Sequence, residues 1–405
     1  MINFVFSFDG HLPRSSKTLK RERKTYRTIV HNNIMRIEEC HIFHSKLLPL
    51  SILCGLLILF TSCGQSLESH LERGEEFLKK RKYSDAEMQF RAGVNINDES
   101  PDAHWGLART FEKQGKFLET VQELKRTADL DETHLEAKTK LGNYFLLFNP
   151  PQIQEAERLL QDVLARDANF IEAHILKASV FALQNRDEGG IVAVLNHAIS
   201  LDTKRTESYL ALARFYMKRN NTHEAEETIK RGISVNDKRA IGYLEYARFL
   251  DFAKRYDEVE AKIKKAIEVE PKSIEAREAL ASHYLSRRDI EKAEKTYKEL
   301  VQVQENSPES RMDLANFYSL VSRKDEAVKV YEQILTENAD YARARYKLAE
   351  VFLGRKDFDR VNAEVEKLLS VNDTDAEALM IRARLKIAEG SADEAVKDLE
   401  EVLKK

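Results

Sequence analysis

The chain has 405 residues, 33% of them charged, and a formal net charge of −3. Its three cysteines, Cys40, Cys54 and Cys63, leave everything after position 63 without thiols, which excludes a disulfide framework or a cysteine-ligated metal there. Nine basic and four acidic residues precede Cys63, leaving 56 basic against 64 acidic from there on, a balance that excludes a general polyanion binder and makes nucleic acid an unexpected partner.

Residues 1–34 are basic, polar and aperiodic ("RSSKTLKRERKTYRT"). They read as an over-extended start or, on the functional alternative, as a basic arm for nucleic acid or anionic lipid. A second methionine, Met35, lies 28 residues ahead of Cys63. Lys46 then precedes an apolar run from Leu47 to Phe60, fourteen residues that contain Pro49, Ser51 and Gly55. A membrane-spanning helix needs about 20 predominantly apolar residues, so the run is short for a span. Every position from Leu53 to Phe60 is apolar, as in the central region of a secretory signal. The residues that close it, Phe60-Thr61-Ser62-Cys63, resemble the lipobox of bacterial lipoproteins. That resemblance implies a signal at 35–62, cleavage before Cys63, lipid on Cys63 and a short linker to residue 66. Gly64 after the cysteine resembles lipoproteins sent to the outer membrane, so the expected location is the bacterial cell envelope, lipid-anchored at the outer membrane and facing the periplasm.

From residue 67 the sequence repeats. Small residues fall at Gly74, Ala108, Gly142, Ala178, Ala213, Ala247, Ala281, Ala315, Ala349 and Ala383, at intervals of 34, 34, 36, 35 and then 34 throughout. Three residues later there is usually a ring, as at Phe77, Phe111, Phe145, Tyr216, Tyr284, Tyr318 and Phe352, with Leu250 in the sixth unit. Twelve after the small residue comes a second small position, as at Ala86, Ala225, Ala293, Ala327 and Ala395. Each unit therefore predicts two amphipathic helices, in which a small side chain lets backbones approach and the ring one turn on fills the space beyond. Pro101 and Pro308 open units, Pro271 closes one, and Pro150 with Pro151 falls in a two-residue insertion in the third, so none of the five later prolines interrupts a predicted helix.

The pattern resembles the tetratricopeptide repeat (TPR). Residues 308–341 carry it best, with Leu314, Ala315, Tyr318, Ala327, Tyr331, Ile334 and Leu335 at the family's structural positions. Ten units follow, about 67–100, 101–134, 135–170, 171–205, 206–239, 240–273, 274–307, 308–341, 342–375 and 376–405. Thr120, Gly190, Val259 and Val361 replace alanine in second helices, and Arg382 and Lys386 occupy normally apolar places in the last unit. The resemblance implies an all-α fold, an α-solenoid coiled as a right-handed superhelix whose concave groove binds peptides or protein segments. It implies a binding protein rather than an enzyme, with no cofactor or metal.

No Gly-rich phosphate loop, HExxH or GxSxG occurs, and the seven histidines beyond Cys63 sit at non-matching positions in different units. Asn220 and Asn372 open N-x-[ST] matches that carry no meaning in a bacterial lipoprotein. In the family, positions two, five and nine of each first helix face the groove. Carried over, the partner groove comprises Trp105, Leu210, Leu244 and Tyr346 at position five, with Arg109, Asn143, Arg214, Arg248 and Asn316 at position nine. Trp105, the single tryptophan, stands one turn from Arg109, a pairing suited to a peptide bearing acidic or carboxylate groups. The alternative for these positions is a solvated helix face with a semi-buried Trp. The expected function is a lipid-anchored interaction scaffold that assists secretion, polysaccharide export or envelope-complex assembly. The alternative is an adaptor or regulatory part of a longer, C-terminally extended protein, suggested by the apolar stripe Val396, Leu399, Val402 and Leu403 in the last predicted helix.

Overall fold

The computed structural model describes residues 66–404, so the basic extension, the signal at 35–62 and Cys63 lie outside the described residues. Among the described residues there are twenty α-helices and no strand, arranged as ten consecutive pairs. The first pair is α1 (Leu67–Lys79) with α2 (Tyr83–Ile96), followed by α3 (Pro101–Gln114) with α4 (Phe117–Leu130). The third is α5 (Leu135–Phe145) with α6 (Ile153–Arg166), the fourth α7 (Ile171–Leu183) with α8 (Glu188–Leu201), and the fifth α9 (Thr206–Lys218) with α10 (Thr222–Val235). Then come α11 (Ala240–Phe252) with α12 (Tyr256–Val269), α13 (Ile274–Ser286) with α14 (Ile290–Val303), and α15 (Pro308–Leu320) with α16 (Lys324–Glu337). The last two are α17 (Ala342–Gly354) with α18 (Phe358–Val371), and α19 (Ala376–Ala388) with α20 (Ala392–Leu403).

Each pair closes in the same way. In nine of the ten pairs a residue just past the first helix adopts a left-handed backbone, one position beyond it at Gly115 and two beyond it at Arg81, Asn185, Asn220, Lys254, Arg288, Ser322, Lys356 and Gly390. The next amide then reaches back to the carbonyl of the ring position, as from Lys116 to Phe111 and from Arg323 to Tyr318, at 2.9 and 2.8 Å. This satisfies carbonyls that a helix end leaves without partners. The third pair has no such residue. Its insertion loops out between α5 and α6, yet Gln152 still donates to the Phe145 carbonyl at 2.9 Å, so the extra residues are absorbed without shifting the second helix.

Small residues make the pairs fit. Ala213, Ala281, Ala315 and Ala349 in first helices, and Ala86, Ala156, Ala225, Ala293 and Ala327 in second helices, are fully buried. The tightest example is Phe90 on α2, whose ring lies between two glycines. A Cβ on Gly106 would come within 2.3 Å of the ring, and one on Gly74 within 2.6 Å.

The last pair keeps its shape by a different chemistry. Arg382 and Lys386 stand where other pairs have apolar groups, and both reach Asp398 on α20, which is only 5% exposed. Arg382 makes a two-pronged contact at 2.9 and 2.7 Å. Burial pushes the Asp398 carboxyl up, but hydrogen bonds from Arg382 and Lys386 together outweigh it and hold the group below its usual range. An ion pair thus replaces the expected hydrophobic contact. On the outer side of α20, Val396, Leu399 and Leu403 are exposed, while Val402 packs inward.

First helices of neighbouring pairs also touch one another, α1 with α3, α5 with α7, α7 with α9, α9 with α11, α11 with α13 and α17 with α19. Second helices show no comparable contact with each other among the described residues. In a curved stack the elements that close up lie on the inside, so the first helices form the inner wall. No described helix is long and apolar enough to cross a membrane.

Candidate functional site

The inner wall begins at Trp105 on α3. Its indole is half-buried, and its ring centre lies 4.7 Å from that of His134, at a tilt of 57°. His134 is fixed in turn, because its Nδ1 accepts the Ala137 amide at 3.2 Å as the N-cap of α5. Arg109 stacks on the other side, its guanidinium carbon 5.3 Å from the indole centre. The same guanidinium forks onto the Glu75 carboxylate of α1. Glu75 and Arg109 are 34 residues apart and so hold the same place in successive units.

Arg214 and Arg248 are tied up as well. Arg214 binds Glu245 with two hydrogen bonds, at 2.9 and 2.7 Å, and Arg248 reaches the same carboxylate at 2.7 Å. Glu245 is 2% exposed, so the two cations compensate a charge that would otherwise be buried alone. The sequence-based expectation that these arginines await an acidic partner is corrected here: each already carries a carboxylate of its own chain. A peptide carboxylate would compete with Glu75 at Arg109 and with Glu245 at Arg214, while Arg248 gives Glu245 a single N–H and stays 63% exposed.

Leu210 requires a second correction. It is 1% exposed and belongs to the core rather than the groove. It packs against α10, where even a Cβ on Gly232 would lie in ordinary contact, 3.5 Å from the Leu210 methyl. Met312, at the same position of the eighth unit, is equally buried. Leu244 is half-buried against α12. Asn143 is exposed and donates to the Thr139 carbonyl of its own helix at 3.1 Å, while Asn316 accepts from the Tyr331 hydroxyl at 2.9 Å. Tyr346 donates to Asp375 at 2.7 Å, and burial, then that carboxylate, raise its hydroxyl pKa. The site residues therefore do not converge on one point. They are spread along six inner helices, and the half-exposed apolar bodies among them are Trp105, Leu244 and Tyr346.

A ladder that sequence reasoning missed runs beside them. The acidic residue opening one inner helix pairs with the cation that opens the next, Glu172 with Arg205 at 2.6 Å and Glu207 with Arg239 at 2.5 Å. Opposite charges about one repeat apart could have revealed it. On the opposite side, between α4 and α6, a cleft of about 800 Å³ has Leu141, Phe145 and Leu159 as its floor and a rim of mixed charge. No group of three or more His, Cys, Asp or Glu is placed to hold a metal ion among the described residues.

Family models described as tetratricopeptide repeat match residues 71–133, 206–239 and 323–385, which include Trp105, Arg109, Arg214 and Tyr346. These segments are tetratricopeptide repeats. No curated protein matches the chain. Among solved structures, it is similar to yeast Tom70 at 15% identity and a TM-score of 0.41, over 83% of this chain and 91% of that one. It is also similar to human IFIT1, solved as a dimer with m7Gppp-AAAA, at 15% identity and a TM-score of 0.35, over 87% and 93% of the two chains. Neither likeness bears on what this chain binds. The TPR segments do support a protein interaction scaffold.

Proposed function

We propose that the protein is a lipid-tethered scaffold of the bacterial cell envelope, held at the outer membrane through Cys63 and binding segments of partner proteins along its inner wall. The observation that carries the binding half is the row of first helices, along which Trp105, Leu244 and Tyr346 keep apolar surface that the core does not consume. Large aromatic side chains of this kind anchor interfaces at low conformational cost. Because Arg109, Arg214 and Arg248 are engaged by their own carboxylates, the partner segment is expected to present an apolar anchor to Trp105 rather than an acidic group. The tether rests on the apolar run ending at Phe60 and on the small residues before Cys63. Two or more acyl chains would hold the protein stably, where a single one is marginal. Assistance to secretion, polysaccharide export or envelope assembly fits such a tethered binder. Two variants test the proposal separately. Cys63→Ser should lose a metabolically supplied fatty-acid label and leave the membrane fraction, and retention of the label would end the tether reading. Trp105→Ala, confirmed as helical by circular dichroism, should reduce capture of envelope proteins several-fold, and unaltered capture would end the inner-wall reading.

A further inference from the structure

The turn between α1 and α2 is strongly basic, Lys79-Lys80-Arg81-Lys82; Lys79 and Lys80 are exposed, but Arg81 and Lys82 are half-buried. The Arg81 side chain crosses to the seventh pair, nearly two hundred positions away in sequence. Its Nη2 lies 3.2 Å from Glu278 and its Nη1 3.9 Å from Glu275, both on α13. Its Nε donates to the Tyr83 hydroxyl at 2.8 Å, which fixes the direction of the guanidinium. The neighbouring cations face acids too: Lys80 is within electrostatic reach of Glu305, and Lys82 of Glu309 at the start of α15. Asp313, one turn along α15, also feels Arg81.

We propose that this acidic wall on α13 and α15 is an intramolecular dock for the Lys79–Lys82 turn, and that the contact is a releasable clasp between the first TPR and the seventh and eighth. Charge complementarity carries the assignment, since Arg81 and Lys82 are set against carboxylates from two successive inner helices. The clasp is releasable because the wall holds more acid than the turn neutralises. Burial first, then like charge from neighbouring acids, outweighs Arg81 and raises the Glu278 carboxyl above its usual range. Burial raises Asp313 likewise, against Arg343 and Arg81, and Glu309 is raised by burial with Asp85 adding to it. Partly exposed pairs of this type contribute little individually and are screened by salt. A clasp built from them closes at low ionic strength and opens at high.

The test uses the full chain and zero-length carbodiimide coupling, which joins a lysine to a carboxylate that its flexible side chain can reach without a spacer. Mass spectrometry of the monomer band should find the segment holding Lys79, Lys80 and Lys82 joined to the segment 275–313. The yield should fall at least five-fold in 1 M salt or in Arg81→Glu. It should return in Arg81→Glu combined with Glu278→Arg. Glu278→Gln, a milder change on the other partner, should lower it without altering the helical content. Absence of the cross-link in the wild-type monomer, its occurrence only between two copies, or a yield indifferent to Arg81→Glu and Glu278→Gln would overturn the proposal.

Discussion

Replacing Gly106 by alanine tests the packing rule that builds the inner wall. The new Cβ would stand 2.3 Å from two carbons of the Phe90 ring, and an ordinary contact begins near 3.4 Å, so the ring must retreat by more than 1 Å. It has nowhere to go: Phe90 is fully buried, and its far side abuts Gly74, where a Cβ would also lie 2.6 Å away. Overpacking of this kind costs about 1–3 kcal/mol. Alanine in a helix interior recovers roughly 1 kcal/mol relative to glycine, so the net expectation is a loss of up to about 2 kcal/mol. Repeat arrays open from their ends and are not reliably two-state. The assay is therefore amide hydrogen exchange, with faster exchange expected in α1 through α3 and little change beyond α8. Gly189→Ala, whose Cβ would meet only the Asp187 carboxylate at 3.4 Å, is the control and should show no loss. Adding Phe90→Leu to Gly106→Ala should relieve the clash and recover part of the protection. If Gly106→Ala exchanges as slowly as the wild type or more slowly, the close approach of α2 and α3 is not as described.

Three further outcomes follow from the ion pairs and turns. Asp398→Asn leaves Arg382 without its ion-pair partner and Lys386 with Glu394 alone, at 3.6 Å, and should loosen α20 at a cost of about 1–3 kcal/mol, read as lost exchange protection there. Glu294 accepts hydrogen bonds from Lys298, Arg323 and Tyr318, and these, against some burial, hold its carboxyl down to about 2. Because the folded value is depressed, its contribution is complete above the ordinary carboxylate value and is lost as pH falls toward 2; a carboxyl carbon that titrates near 4.5 in NMR would contradict this. Lys356 holds a left-handed backbone with φ of 60°, so Lys356→Gly should be neutral or stabilising by up to about 1 kcal/mol in thermal unfolding, and Lys356→Val destabilising.

The helix pairs were legible because their packing is local and periodic: a small residue and a ring three positions on recur at one spacing, both buried at Ala108 with Phe111, Ala281 with Tyr284, Ala315 with Tyr318 and Ala349 with Phe352. The turns were less legible. Seven of the nine left-handed positions are not glycine, so sequence alone gave no sign of the backbone they adopt. The groove was legible in part. Position five faces inward at Trp105 but is buried at Leu210 and Met312, because whether it reaches solvent depends on the adjoining helices, which the inner-helix pattern does not contain. The inner arginines were found without their partners, since Glu75 and Glu245 lie in neighbouring units. Reading each inner position across units, rather than along one helix, would have paired them. The clasp at Arg81 joins units six apart, and no short-range rule reaches that far.

The central claim, that partners bind along the inner wall, is tested most directly by site-specific photocrosslinking in the native host. A photoreactive phenylalanine analogue is placed singly at Trp105 and Tyr346 on inner helices, and at Leu118 and Val371, exposed residues of second helices. The account predicts discrete protein adducts from positions 105 and 346 and none of comparable yield from 118 and 371. Adducts formed from the second-helix positions alone would contradict it.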